Sequence, residues 1–486
     1  GDTGVITENY DMMKRYVDFL DADSTGHIRS AGGYLDWLNL DDPTPADVLD
    51  TAFVAKSTRE FAQMAKAIGR DADAAAYQAR YEAIRAAYQQ AFIAADGSVK
   101  GDSQTAYILT LTNDLEPEDR RDAVYDQFVQ TLERRDYHLS TGFLGVDGLL
   151  PALTKAGRTD IAYRLLQHED YPSWGYEIGK GATTIWERWN SINPDGTFND
   201  VGMNSFNHYA YGAVGEWMYR TMAGVSAAEP GYRKITIAPE PGDGVDDVDY
   251  SLQTPYGTVR SAWVTDDGPM TLDVTVPANT TAEVRIPAAN RWAVTEGGSP
   301  IEDSEHVEFV REDEGVVVLE VGSGDYSFAV APALGDLGAA RAEAAATAAQ
   351  VSSLNLDGPA GRAAKRDLAK RTALLRGEIS GAWDLAARDA EEERVAEAVH
   401  RALAAAANLD RAVQMYADNG MVTEATAAGL RDRLTAIEKS LSRASARLVG
   451  AVAVLQVPGE EVLPGDVVEV SVRVDNSGKQ SLKEVT

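Results

Sequence analysis

Cysteine is absent from this 486-residue chain, which excludes disulfides and thiolate metal sites. Positive charge is short: 45 Lys and Arg face 76 Asp and Glu, a formal −31. A nucleic-acid partner needs a basic footprint to displace counterions, and an anionic membrane surface needs the same, so both are excluded as partners. A neutral glycan or small molecule fits the charge. No apolar run approaches the roughly 20 residues that span a bilayer. Histidine is scarce, and the six present form neither HxH nor HExxH spacing, so no metal or other cofactor is expected. GxSxG, P-loop and dinucleotide fingerprints are also missing, which removes serine hydrolase, NTPase and dehydrogenase readings. No secretory leader is visible. The opening GDTGVITENY lies inside a helical pattern and the closing SLKEVT follows a strand-like run, so both ends read as cut.

What is present divides into four textures, in keeping with a length that calls for several cores. Residues 1–225 are helical, with Phe53, Phe61, Met64 and Ile68 marking one apolar stripe and Tyr77, Tyr81, Ile84, Tyr88 and Phe92 the next. The spacing predicts a hairpin of helices at 50–68 and 72–93, with Gly69 near a C-cap. Further helices are predicted at 104–112, 117–134, 145–156, 158–167 and 204–223. Helical hairpins alternating with long aromatic loops suggest an α/α toroid with a site at one mouth. Residues 226–335 alternate in short segments bounded by Gly, Pro, Asn and Asp, the pattern of an antiparallel β-sandwich. Residues 336–450 turn rich in Ala and Arg, and breaks near NLDGPAGR and YADNG predict a three-helix bundle. From 451, VAVLQV and DVVEVSVRVDNSG read as the first strands of a truncated β-module.

The chemistry-bearing residues lie in the loops of the first region. Trp37, Trp174, Trp186 and Trp189 all stand next to Gly, Asp or Glu. Aromatic faces pack on the apolar faces of sugars while carboxylates bind the hydroxyls, although each Trp would equally serve to pin its loop. Glu187, in TTIWERW, sits between two tryptophans and beside Arg188. It is a candidate acid–base carboxylate, or else one half of a structural Glu–Arg contact. His208, in NSFNHYAYG, is expected near the start of the last helix, as a capping, core or site residue.

The ordered segments GGYLDWL, SQTAY, YHLSTGFLG, LLPAL, YPSWGYEIGKGATTIWERWNS, NSFNHYAYGAVGEWMYR and GYRKITIAPEPG resemble bacterial α-L-rhamnosidases of glycoside hydrolase family 78. TPYGTVRSAW and VTVPANTTAEVRIP continue the likeness, which covers residues 1–332. The resemblance implies an (α/α)6 barrel, incomplete at its N-terminus, followed by a C-terminal β-sandwich. It also implies inverting release of terminal α-L-rhamnose from a rhamnose-containing glycan or glycoside. Glu187 matches the general base, and His208 and Trp37 match residues lining the rhamnose pocket, with Asp36 beside them. Trp174 and Trp186 complete the expected substrate contacts. The family's general acid lies in an upstream acidic motif with no counterpart here, so this segment alone is expected to be inactive. Accessory modules after 335 are similar to those of large exported bacterial enzymes and suggest an extracellular or cell-surface protein. Two other readings compete: a non-catalytic carbohydrate-binding or surface fragment, and an α/α-barrel glycosidase for another sugar.

Overall fold

The computed structural model describes residues 2–265, 269–356, 358–387 and 392–448, and the strands 451–456 and 471–476. The chain forms two compact units. One comprises Gly1–Met222 with Glu240–Asp246, the other Ala223–Pro239 with Asp247–Thr486.

The first unit is helical. Its elements are α1 (Gly4–Ala22), α2 (Ala46–Ala67), α3 (Asp71–Phe92), α4 (Gln104–Thr112), α5 (Arg121–Glu133), α6 (Val146–Lys155), α7 (Thr159–Leu166), and the short α8 (Trp174–Gly179) and α9 (Val214–Trp217). The stripes read from sequence meet here: Phe61 and Ala65 of α2 pack on Ala74 and Tyr77 of α3 and on Tyr10 and Val17 of α1. The Phe61 ring lies 4.6 Å from Tyr77 and 5.0 Å from Tyr10. Each such buried ring contributes roughly 1.5–3 kcal/mol. Gly69 at φ 74° follows the α2 C-cap Ile68 and turns the chain into α3.

The helices alternate between two layers. α2, α4, α6 and α9 touch in succession, while α3, α5 and α7 each pack on the helix before them. An inner element must be buried all round, and α4 is, with Gln104 through Leu111 all buried and its Gln and Thr side chains hydrogen-bonded. The last helix departs from expectation. Residues 204–209 form no helix, and 210–222 wind as a 3-10 turn, α9 and a π turn in place of one helix over 204–223. Residues 205–208 instead bond to residues 184–187, a pairing that local periodicity does not encode. After the first strands of the other unit, residues 240–246 return to this one: Tyr163 Oη donates to the Glu240 carbonyl and Thr159 Oγ1 to its carboxylate.

The second unit begins with two sheets. One orders β1 (Val225–Ala227), β2 (Lys234–Ile237), β6 (Thr281–Pro287), β10 (Val316–Val321) and β9 (Val307–Asp313). The other orders β3 (Asp247–Thr254), β4 (Gly257–Val264), β5 (Thr271–Val276), β11 (Gly324–Val330), β7 (Val294–Glu296) and β8 (Ser299–Pro300). Alternate residues are buried, such as Ala282, Val284 and Ile286 in β6 or Leu272, Val274 and Val276 in β5, as a sandwich core requires. The expected purely antiparallel pattern needs one correction: β2 pairs with β6 in parallel.

The Ala-rich region also needs correction. It contains four helices, α10 (Pro332–Ser353), α11 (Gly358–Ala386), α12 (Glu392–Asp418) and α13 (Glu424–Leu448), each packed on the next, with α10 closing on α13. The break between α11 and α12 carries no Gly or Pro, the punctuation on which a three-helix reading relied. Its core is Leu, Ile, Val and Ala with one indole, Trp383. Asp336, near the α10 N-terminus, is held by Arg443 and Arg447 of α13 at 2.9 and 2.8 Å. β12 (Ala451–Gln456) and β13 (Ser471–Asn476) pair antiparallel, and the rest of the expected β-module lies outside the described residues.

Candidate active site

The site is built on two loops of the helical unit fastened through Asp36. Asp50 of α2 anchors the start of the first loop, accepting from the Ala31 and Gly32 amides at 2.6 and 3.0 Å. The chain then takes an unusual path, with Leu35 and Leu38 at φ 53° and 63° on either side of Asp36–Trp37. Left-handed leucines cost on the order of 1–3 kcal/mol each and persist only where their surroundings fix them. Here the fixing group is the Asp36 carboxylate. It accepts from Thr105 Oγ1 at 2.6 Å and from the Gly142 and Leu144 amides at 2.8 Å each. Backbone bonds from Leu40 to Ser140 and from Phe143 to Trp37 complete the seam. Position 142 admits only glycine, because a Cβ there would sit 2.2 Å from the Trp37 carbonyl oxygen.

Glu187 and His208 lie on a second strap. The Glu187 amide donates to the Ser205 carbonyl, and the His208 amide to the Ile185 carbonyl, at 2.9 and 2.8 Å. Thr184 Oγ1 also donates to the Phe206 carbonyl. Glu187 is half-buried, and its Oε2 accepts from the Ser205 amide at 2.7 Å. Arg188 is not its partner: that guanidinium turns away and donates to the Met203 carbonyl. The His208 ring stacks on Phe143 at 4.8 Å and on Tyr209 at 5.0 Å. Because Phe143 also bonds Trp37 through its amide, one chain of contacts runs Trp37–Phe143–His208–Ile185 and reaches Glu187 two residues on.

Beside this chain lies a cavity of about 760 Å³ whose lining includes Tyr34, Trp37, Asp50, Phe143, Asp147 and Tyr209. Trp37 faces it, while Glu187 and His208 stand outside the lining itself. Tyr34 meets Trp37 edge to face at 5.3 Å and is 82% exposed, and Tyr209 is 85% exposed, so both offer aromatic faces to a ligand. Sequence reasoning did not single out Tyr34, Phe143 or Tyr209. Their signal was an aromatic beside Gly, Asp or His in the same loops.

Three residues expected to contact substrate are buried here with partners of their own. Trp174 is buried, with its indole N–H spent on the Tyr211 carbonyl at 2.9 Å and its edge against Trp189. Trp186 is buried against Phe206. Asp36 is 1% exposed with both oxygens occupied by the donors above, so it fastens loops where a sugar contact was expected. Burial raises its pKa, and those hydrogen bonds oppose the rise. Glu177 in α8 is also buried, and burial pushes its carboxyl up to about 8, against a smaller opposing effect of the Trp186 backbone amide.

Paired layers of helical hairpins, with an aromatic cavity beside a loop carboxylate, define a helical-hairpin domain, and a β-sandwich opens the other unit. Residues 1–222 match the bacterial alpha-L-rhamnosidase 6 hairpin glycosidase domain, and residues 224–299 match the bacterial alpha-L-rhamnosidase C-terminal domain. The chain belongs to the bacterial α-L-rhamnosidase family. It is 47% identical over 330 residues to an α-L-rhamnosidase of Streptomyces avermitilis, covering 68% of this chain and 31% of that one. An α-L-rhamnosidase of Formosa agariphila is 38% identical over 337 residues, covering 68% and 36%. The crystal structure of the Streptomyces avermitilis enzyme complexed with L-rhamnose superposes with a TM-score of 0.64 over 68% of this chain and 31% of that one. The structure of the α-L-rhamnosidase from Dictyoglumus thermophilum, 32% identical, gives 0.63 over 68% of this chain and 37% of that one. The chain thus spans about a third of the length of these relatives.

Proposed function

We propose that this chain carries the water-activating part of an enzyme that releases terminal α-L-rhamnose with inversion, and that its helical unit is a portion of an (α/α)6 toroid. The alternating layers of α2 to α7 support the toroid reading. The observation that carries the functional reading is the run of contacts linking Trp37, Phe143 and His208 to the strap bearing Glu187, beside an aromatic cavity.

In this reading Glu187 is the general base. One oxygen is held by the Ser205 amide, which fixes the carboxylate's orientation. Among the described residues no hydrogen-bond partner meets Oε1, so that oxygen takes the proton of the attacking water. Trp37, Tyr34 and Tyr209 offer the aromatic faces for the sugar. Inversion needs a second carboxyl about 6.5–9.5 Å away to protonate the leaving oxygen. Asp36 and Asp42 are spent on loop hydrogen bonds, and Glu177 is protonated at neutral pH but buried, so none of the three supplies it. The acid is assigned to sequence outside this segment, and we read the protein as exported on the likeness of the modules after 335 to those of large exported enzymes.

The test is Glu187→Gln in a chain extended to the length of the relatives, assayed on an aryl α-L-rhamnoside with the product anomer followed by NMR. Loss of a general base lowers turnover by a factor on the order of 10²–10⁴ while sugar binding changes far less. Near-normal turnover removes Glu187 from the mechanism, and a retained anomer removes inversion.

A further inference from the structure

Away from the cavity, three ligand-type side chains from two segments converge. His138 follows α5, and His168 and Asp170 follow α7. His138 Nδ1 lies 3.0 Å from the Arg135 carbonyl, a contact that requires the proton on Nδ1. In the neutral ring, Nε2 then presents a lone pair, and it faces Asp170 Oδ1 at 3.1 Å without hydrogen-bond geometry. Two lone pairs so placed repel unless a proton on Nε2, which would pair His138 with Asp170, or a metal ion lies between them. The same Asp170 oxygen is 3.4 Å from His168 Nδ1, and the three atoms all lie within 4.8 Å of one another. The two imidazoles stack at 4.5 Å with 25° between their planes, so both present nitrogen edges to Asp170.

Zinc binds imidazole nitrogen and carboxylate oxygen at about 2.0–2.2 Å in a tetrahedron, which sets neighbouring ligands about 3.4 Å apart. The observed 3.1 and 3.4 Å match that edge. The Nδ1–H of His138 on a backbone carbonyl is the outer-shell arrangement that orients a metal-binding histidine. We propose that His138, His168 and Asp170 bind one divalent cation of the zinc class, with water completing the sphere. Two imidazoles select zinc, nickel, cobalt or copper over calcium or magnesium, which prefer all-oxygen sets.

The cation ties two segments that matter to the site. His138 begins the run through Ser140 and Gly142 to Phe143, and Asp170 precedes Ser173, whose Oγ caps α8 by accepting from the Tyr176 amide. It therefore acts as a clamp between the two segments and takes no part in bond breaking.

The test needs no sugar. The chain, stripped with EDTA, is titrated with zinc chloride by calorimetry and melted with and without it. One equivalent bound per chain, with Kd at or below about 10 μM, and a Tm raised by several degrees are expected. Asp170→Asn and His168→Gln should each weaken binding at least tenfold, and calcium chloride should give no saturable heat. Asp170 is largely exposed, so its variant keeps the fold even if the histidine variant does not. Absence of saturable zinc binding overturns the proposal. So does zinc affinity unchanged in Asp170→Asn, or calcium bound as tightly as zinc.

Discussion

The helical unit and the four-helix bundle are both built of helices, yet they handle backbone strain in opposite ways. In the bundle, long helices bury small aliphatic side chains, and among its described residues only Gly358 and Gly420 take positive φ. In the helical unit, His27, Leu35, Leu38, Asp41, Asp102, Asp114, Asp136 and Tyr137 all do so, and two of them flank Trp37. Apart from glycines inside α11 such as Gly377, the bundle follows local preference, as a region whose role is to pack should. The helical unit violates them where its cavity is built, and it offsets the cost with buried carboxylate and amide contacts.

That contrast can be broken by exchanging glycine for alanine in each region. Gly142→Ala drives a Cβ into backbone at 2.2 Å that has nowhere to move, so a loss of about 3 kcal/mol or more is expected. Denaturant melts would measure it, and a loss below about 1 kcal/mol would mean the seam between the loops is soft. Asp36→Asn keeps the volume but replaces one acceptor oxygen with a donor facing N–H and O–H groups. A loss of about 2–3 kcal/mol is expected by the same melts, with weaker ligand binding at the cavity.

Glu177 sharpens the comparison through pH. Its folded pKa of about 8 lies above the ordinary 4.5, so between those values the folded chain holds a proton that the unfolded chain releases. Stability is therefore complete below pH 4.5 and falls as pH rises through 8. The full difference converts to roughly 5 kcal/mol, and relaxation of the buried carboxylate lowers it to about 2 kcal/mol at pH 9. Glu177→Gln should flatten that fall in melts run from pH 5 to 9. The smallest effect belongs to the bundle. Gly377 lies inside α11 with nothing near its missing Cβ, so Gly377→Ala should stabilise by about 0.5–1 kcal/mol and raise Tm slightly.

Helices α2 to α7 were legible because their stripes and caps are local, and Gly69 marks a turn whose backbone needs it. The non-helical strap at 205–208 was not, because its partner lies some twenty residues earlier. The α11–α12 break was hidden by good helix formers on both sides. Among the site residues, proximity of Trp37, His208 and the Glu187 strap could be expected from the family likeness, but the joining ring of Phe143 could not. The roles of Trp174, Trp186 and Asp36 depend on which way a loop turns. An indole or a carboxylate serves a ligand or a core with equal ease, and at Asp36 it is the path through Leu35 and Leu38 that decides it.

The Asp36 seam has a consequence for how new specificities arise. Because the loop's geometry is held by groups pointing inward, the outward side chains at 34 and 209 carry none of that burden. They behave as interchangeable tiles on a fixed frame: Tyr34 or Tyr209 can be swapped for smaller or more polar residues to change the face offered to a ligand, at the cost only of the ring contacts to Trp37 and His208. A library randomised at those two positions should therefore yield folded protein in most of its members, whereas one randomised at 36 and 142 should yield almost none.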